Sequence, residues 1–162
     1  MPDLTTHLAF THLVSRPVRL GSARVPLYVG ALLPDLLTRP LYILHPPAYY
    51  VVYSLHTPVA TSVVILLFAE LCAEEIRRRV MAGLFAGVTL HFALDLLQRQ
   101  LGSGYYCLFP FSWKSFALGL FWPEESLRAV PFLLTAVAAT EAGLFLWRKL
   151  RHQPEGTGHE SS

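Results

Sequence analysis

Apolar residues of this chain gather into long stretches broken by short polar or basic joints. Residues 2–14 carry an aspartate and two threonines near their start, then an apolar run that stops at Ser15-Arg16-Pro17, the pattern of a short helix closed by proline. About 13 residues fall short of the roughly 20 needed to cross hydrocarbon, so an interfacial or re-entrant helix is expected. Residues 25–45 form a first candidate span, which Pro34, Asp35, Arg39 and Pro40 should kink or split into halves. Residues 49–71 are nearly uninterrupted, with only His56 and Pro58 breaking the run and tyrosines at its start, where an interfacial aromatic belt would sit; a second, continuous span is predicted there. Residues 80–101 make a third span, apolar except for Thr89, His91, Asp95 and the closing Gln98-Arg99-Gln100, and residues 127–150 a fourth, with Glu141 inside it. The fold class that follows is all-α: an integral membrane helical bundle of about four transmembrane helices plus a short amino-terminal helix.

Composition agrees with that reading. Of the 162 residues 53% are hydrophobic and 15% charged, against about 25% charged in soluble domains. Size and pattern leave room for one membrane domain, residues 1–151, followed by a polar tail, residues 152–162, expected to be disordered. The start, MPDLTTHLAF, has neither a basic stretch nor a small-residue cleavage site and does not read as a removable signal peptide. Cys72 and Cys107 form no metal motif or disulfide framework.

A formal charge of +2 gives no general nucleic-acid footprint, so no nucleic-acid partner is expected. The placement of the basic residues says more. Arg16, Arg19 and Arg24 precede the first span, Arg77 to Arg79 join the second and third, and Arg148, Lys149 and Arg151 follow the fourth. All three clusters fall on one face, which by the positive-inside rule puts both termini in the cytoplasm. Membrane lipids are then the standing partners.

An ionisable side chain at membrane depth costs at least ~2.5 kcal/mol on insertion scales, so each needs a partner, a cavity or a function. In LHFALD, His91 and Asp95 are four residues apart and lie on one face of a helix, one turn above the other. They can share a divalent metal, or simply hydrogen-bond each other. His56, near the same face of the membrane as the end of the third span, overlaps them in depth. Asp35 follows Pro34 mid-span, where a lone carboxylate is disfavoured; a metal, a polar cavity or a salt bridge to Arg39 would each satisfy it. His7 and His12 are about 140° apart around a helix, so at most one can face a shared site. Glu141 has no ligand type beside it in sequence and reads either as a support for the metal ligands from behind or as a packing partner.

Imidazole and carboxylate both bind zinc at about 2.0–2.2 Å, and manganese or iron accept the same donors. Such an ion activates water for hydrolysis. No serine-nucleophile motif, phosphate loop or dinucleotide fingerprint is present, which leaves metal-dependent hydrolysis as the enzymatic chemistry the residues support. A non-enzymatic protein using the same residues as a structural metal site or an ion pathway is the alternative.

The order TTHLAF, GALLPDLL, LHTPVATS, LHFALDLL and LFPFSWKSFALG resembles the YdjM-like family of bacterial membrane-bound metal-dependent hydrolases. The matching motifs run from about Thr5 to Gly119. The resemblance implies a multi-helix protein of the bacterial cytoplasmic (inner) membrane with a histidine and aspartate metal site, and carries metal roles to His7, Asp35, His91 and Asp95. Where the family often has two histidines and a serine ahead of its second helix, this chain has His56 and Thr57, and Leu37 replaces a second aspartate. Spacing is similar, more distantly, to zinc-dependent phospholipase C, which implies a phosphoester or similar ester substrate, small or lipid-derived. The aromatic segment YYCLFPFSWKSFALGLFWPEE reads as an interfacial belt with a half-helix, or as a lid carrying Lys114 toward an anionic head group.

Overall fold

The computed structural model describes residues 3–99 and 104–151; the expected tail lies outside the described residues. Six α-helices follow one another: α1 (Leu4–Ser15), α2 (Arg24–Leu44), α3 (Tyr49–Tyr53), α4 (Pro58–Glu70), α5 (Glu74–Leu97) and α6 (Pro123–Arg151). Three segments are long and apolar enough to cross a membrane: Gly21–Leu44, Glu74–Leu97 and Pro123–Arg151. Pro58–Glu70 is apolar but shorter.

Two helices depart from the sequence expectation. α2 runs unbroken through both Pro34 and Pro40, so the split that was one of the two expected outcomes does not occur. The opposite happens at residues 49–71, where a continuous helix was expected. There the chain leaves the helix after Tyr53 and restarts at Pro58, with Thr57 extended and its hydroxyl accepting from the Ala60 amide at 3.3 Å. Thr57-Pro58 is an N-cap followed by proline at the first helical position, a start signal embedded in an apolar run. The break turns His56 into a junction residue that faces inward.

Packing centres on α2 and α5. A Cβ on Gly87 would stand 2.1 Å from the Leu27 carbonyl oxygen, and one on Gly30 would stand 2.2 Å from that of Leu84. Both positions therefore require glycine, and the two backbones meet nearly in contact, as small residues allow between membrane helices. Pro26 meets Gly83 and Ala31 meets His91, so the helices run in the same direction. α4 closes the other side of α5 through Ile65, Leu84, Val88 and Phe92, all buried. α1 runs antiparallel to α2, since His12 meets Tyr28 while His7 gathers with Asp35. α6 packs on α1 and is otherwise exposed along its length, with Ser126 its one buried residue among those described.

Residues 104–122 form no helix. Tyr105 and Phe116 exchange two backbone hydrogen bonds at 2.9 Å, and the amides of Leu118 and Leu120 donate to the Leu96 and Leu97 carbonyls at 2.7 and 2.6 Å. The segment thus satisfies carbonyls that the end of α5 would otherwise leave open. An interfacial half-helix, one of the two expected readings, is absent among the described residues. The segment leaves Lys114 and Trp113 exposed and buries Tyr105.

Candidate metal centre

Four elements deliver five side chains to one place. α1 brings His7, α2 brings Asp35, the junction before α4 brings His56, and α5 brings His91 and Asp95. Each is 1% exposed or less. Two overlapping sets, His7 with Asp35 and His91, and His56 with His91 and Asp95, have donor atoms within 4.8 Å of one another. His91 belongs to both.

Within this cluster the Asp95 carboxylate is the hub. Its Oδ2 lies 2.8 Å from His56 Nε2 and 3.2 Å from His91 Nε2, and its Oδ1 lies 3.5 Å from His7 Nε2. His91 Nε2 and His56 Nε2 are 3.4 Å apart. Four donors bound tetrahedrally at zinc-like lengths stand about 3.4 Å from one another, so most of these separations match a shared ion. The His56–Asp95 pair is closer, at hydrogen-bond length, and would open by about 0.5 Å around one.

Orientation of the rings follows from their outer contacts. His91 Nδ1 is 2.7 Å from the Ala31 carbonyl oxygen, a group that can only accept, so Nδ1 donates there and the ring turns Nε2 toward the cluster. Pro34 supplies no amide to the Gly30 carbonyl one turn earlier, and in the same turn of α2 the Ala31 carbonyl meets His91 of α5. The His7 ring stacks on that of His91, with centroids 4.0 Å apart and planes 12° from parallel. Thr38 donates to the Pro34 carbonyl at 2.8 Å and stands 3.5 Å from His56 Nδ1. Tyr105 covers His56 from the loop, its ring 6.1 Å away.

Hydrogen bonding leaves the cluster incomplete by itself. Asp35 and Asp95 are fully buried carboxylates, and the cation facing them is Arg39, whose guanidinium lies 2.8 Å from Asp35 Oδ2. Two carboxylates buried together with one guanidinium need further positive charge beside them, which a bound cation would supply. Neither ring nitrogen of His7, nor Asp95 Oδ1, makes a hydrogen bond among the described residues. Three histidines and two aspartates with orphaned buried donor atoms fit a divalent metal ion. The donor set does not distinguish zinc from manganese or iron.

All five residues singled out from the sequence are therefore brought together, and the expected His91–Asp95 pairing and Asp35–Arg39 salt bridge are both present within that gathering. His12 turns away, as the 140° offset requires: its Nδ1 meets the Tyr28 hydroxyl at 2.7 Å and its Nε2 meets Glu141 Oε1 at 2.9 Å. Glu141 lies outside the cluster and is held by His12 and Arg16, partners that lie more than a hundred positions away in sequence. Tyr105, Thr38 and the Ala31 carbonyl were missed. The first sits in a loop with no periodicity, and the other two act through backbone geometry that residue type does not reveal.

Comparison with known protein families, curated proteins and solved structures finds no match to this chain.

Proposed function

We propose that this protein is a membrane-embedded metal-dependent hydrolase that directs an activated water at a phosphoester or similar ester, including lipid-derived ones. The observation that carries the reading is the burial of three imidazoles and two carboxylates with their donor atoms gathered around one point. Convergence on a point, rather than spacing along a route, favours a bound ion over an ion pathway. A divalent ion there would lower the pKa of a water to about 7 and polarise an ester oxygen. His91 and Asp95 would form the base of the site, His56 and His7 its flanks, and Asp35 with Arg39 its far wall. Tyr105 restricts entry above His56.

In the membrane, the arginine-bearing ends of α2 and α5 and the carboxy-terminal end of α6 face the cytoplasm, and the metal cluster lies toward the opposite leaflet. The broken segment from α3 through α4 supplies a fourth crossing. Because α1 is antiparallel to α2, its amino-terminal end points away from the cytoplasmic arginines, which departs from the expectation that both termini share that side. The bacterial inner membrane fits this arrangement of charge, and the motif order keeps the YdjM-like family as the proposed kinship.

The near-complete burial of all five donors favours a second reading, a structural metal that ties α1, α2 and α5 together. Hydrolysis of bis(p-nitrophenyl) phosphate and of p-nitrophenyl acetate by detergent-solubilised protein separates the two. Turnover that requires added zinc or manganese and disappears in Asp95→Ala supports the hydrolase; stoichiometric metal with no turnover on either ester assigns the ion a structural role.

A further inference from the structure

α1 is the least self-sufficient part of the metal centre. With 12 residues it is at the lower limit for a helix stable by itself, and its sequence carries His12 and, just beyond its end, Arg16 into the apolar bundle. It nevertheless supplies His7, which stacks on His91 and reaches toward Asp95. Whatever seats α1 therefore sets the position of one metal donor.

The seat is visible on the opposite side of the helix. Glu141 of α6 holds the Arg16 guanidinium: the terminal nitrogen donates to Oε2 at 2.6 Å, and Nε stands 2.5 Å from Oε1 as an ion-pair contact. The same Oε1 lies 2.9 Å from His12 Nε2, and His12 Nδ1 lies 2.7 Å from the Tyr28 hydroxyl of α2. With Nε2 donating to the carboxylate, Nδ1 accepts from Tyr28. One carboxylate thus gathers His12 of α1 and Arg16 just beyond its end, on the side away from the metal cluster, and links α6, α1 and α2 in a single chain of hydrogen bonds. A carboxylate held at one oxygen by Arg16 and at the other by His12 grips two separate points, so this contact fixes the rotation of α1 about its axis. At about 100° per residue, His7 faces the cluster only when His12 faces Glu141 and Tyr28.

Resting on the metal-centre reading, we infer that Glu141 is a positioning residue for the metal site: it locks the rotation and depth of α1 through Arg16 and His12, and so holds His7 in donor position. The long, otherwise unburied α6, which packs mainly on α1, then has a role in the site.

The test is a double-mutant cycle on the full chain in detergent, read as zinc affinity by competition with a chromophoric chelator. Glu141→Gln should weaken zinc binding about 10-fold, the scale of lost second-layer support, and Glu141→Asp should recover part of that loss. In a His7→Ala background Glu141→Gln should produce no further weakening, because the donor it positions is gone. A general loss of fold would instead weaken binding by the same factor in both backgrounds, and circular dichroism reports that loss directly. Equal factors in the two backgrounds, or unchanged affinity in Glu141→Gln, overturn the inference while leaving the metal centre standing. A parent protein that binds no zinc overturns the metal-centre reading and this inference with it.

Discussion

The Nδ1 of His91 sits 2.7 Å from the carbonyl oxygen of Ala31, so one imidazole joins the backbone of α2 to the donor cluster on α5. The ring is oriented before any ion arrives, and metal-binding histidines are commonly fixed in this way. Imidazole nitrogen spectra of the protein should therefore show His91 as the Nδ1-protonated tautomer. A proton on Nε2 would mean that this nitrogen is not available as a donor.

That contact requires α2 and α5 to approach as closely as they do at Gly30 and Gly87. Gly87→Ala places a methyl group 2.1 Å from the Leu27 carbonyl oxygen and 2.6 Å from the Ala31 amide nitrogen. Backbone cannot yield there as a flexible side chain would. The substitution should cost ~1–3 kcal/mol or more of stability and weaken metal binding in parallel, measured by thermal unfolding and metal titration of the same preparation. Gly143→Ala, on the open face of α6 where nothing lies within 4 Å, should leave both unchanged.

Thr57 ends the break that turns His56 inward. Its hydroxyl caps α4 at the Ala60 amide, and Thr57→Ala should cost about 1 kcal/mol. Thr57→Ser keeps the cap and should restore both stability and metal affinity. Equal behaviour of the two variants would remove the cap from the account of how His56 is placed.

The start of α1 gives a pH dependence of defined sign. Burial pushes the Asp3 carboxyl upward, but hydrogen bonds from the Thr6 amide at 2.9 Å and hydroxyl at 2.5 Å outweigh it and hold the group below its ordinary value of 3.8. A carboxylate with a lowered folded-state pKa stabilises fully above its unfolded value and loses that contribution as pH falls through the folded one. Asn at this position caps comparably and does not titrate. The parent should therefore lose stability relative to Asp3→Asn only as pH drops below 3.8, followed by thermal unfolding of the two proteins side by side.

Much of the site was legible in the sequence because buried ionisable residues in apolar helices are few and must be accommodated. His91 and Asp95 share a helix face by spacing alone, and the 140° between His7 and His12 correctly separates their destinations. Hydropathy was a poorer guide to helix ends. It masked the Thr57-Pro58 start signal, since a cap within an apolar run changes average hydrophobicity little. It also gave no view of Gly30 and Gly87 as a contact, because close approach depends on which faces meet. Glu141 seemed isolated because its partners, His12 and Arg16, lie at the other end of the chain. Prolines at 34 and 40 did not break α2; the carbonyl that Pro34 leaves open belongs to Gly30, which is buried against α5.

The central claim is that the buried histidines and aspartates hold a metal ion. Elemental analysis of the purified, detergent-solubilised protein, beside His91→Ala and Asp95→Ala, tests it most directly. Stoichiometric zinc, manganese or iron in the parent, lost in both variants, is the predicted result. A parent that carries no metal and takes up none from excess zinc, manganese or iron would contradict the account and leave the cluster as a hydrogen-bonded packing element.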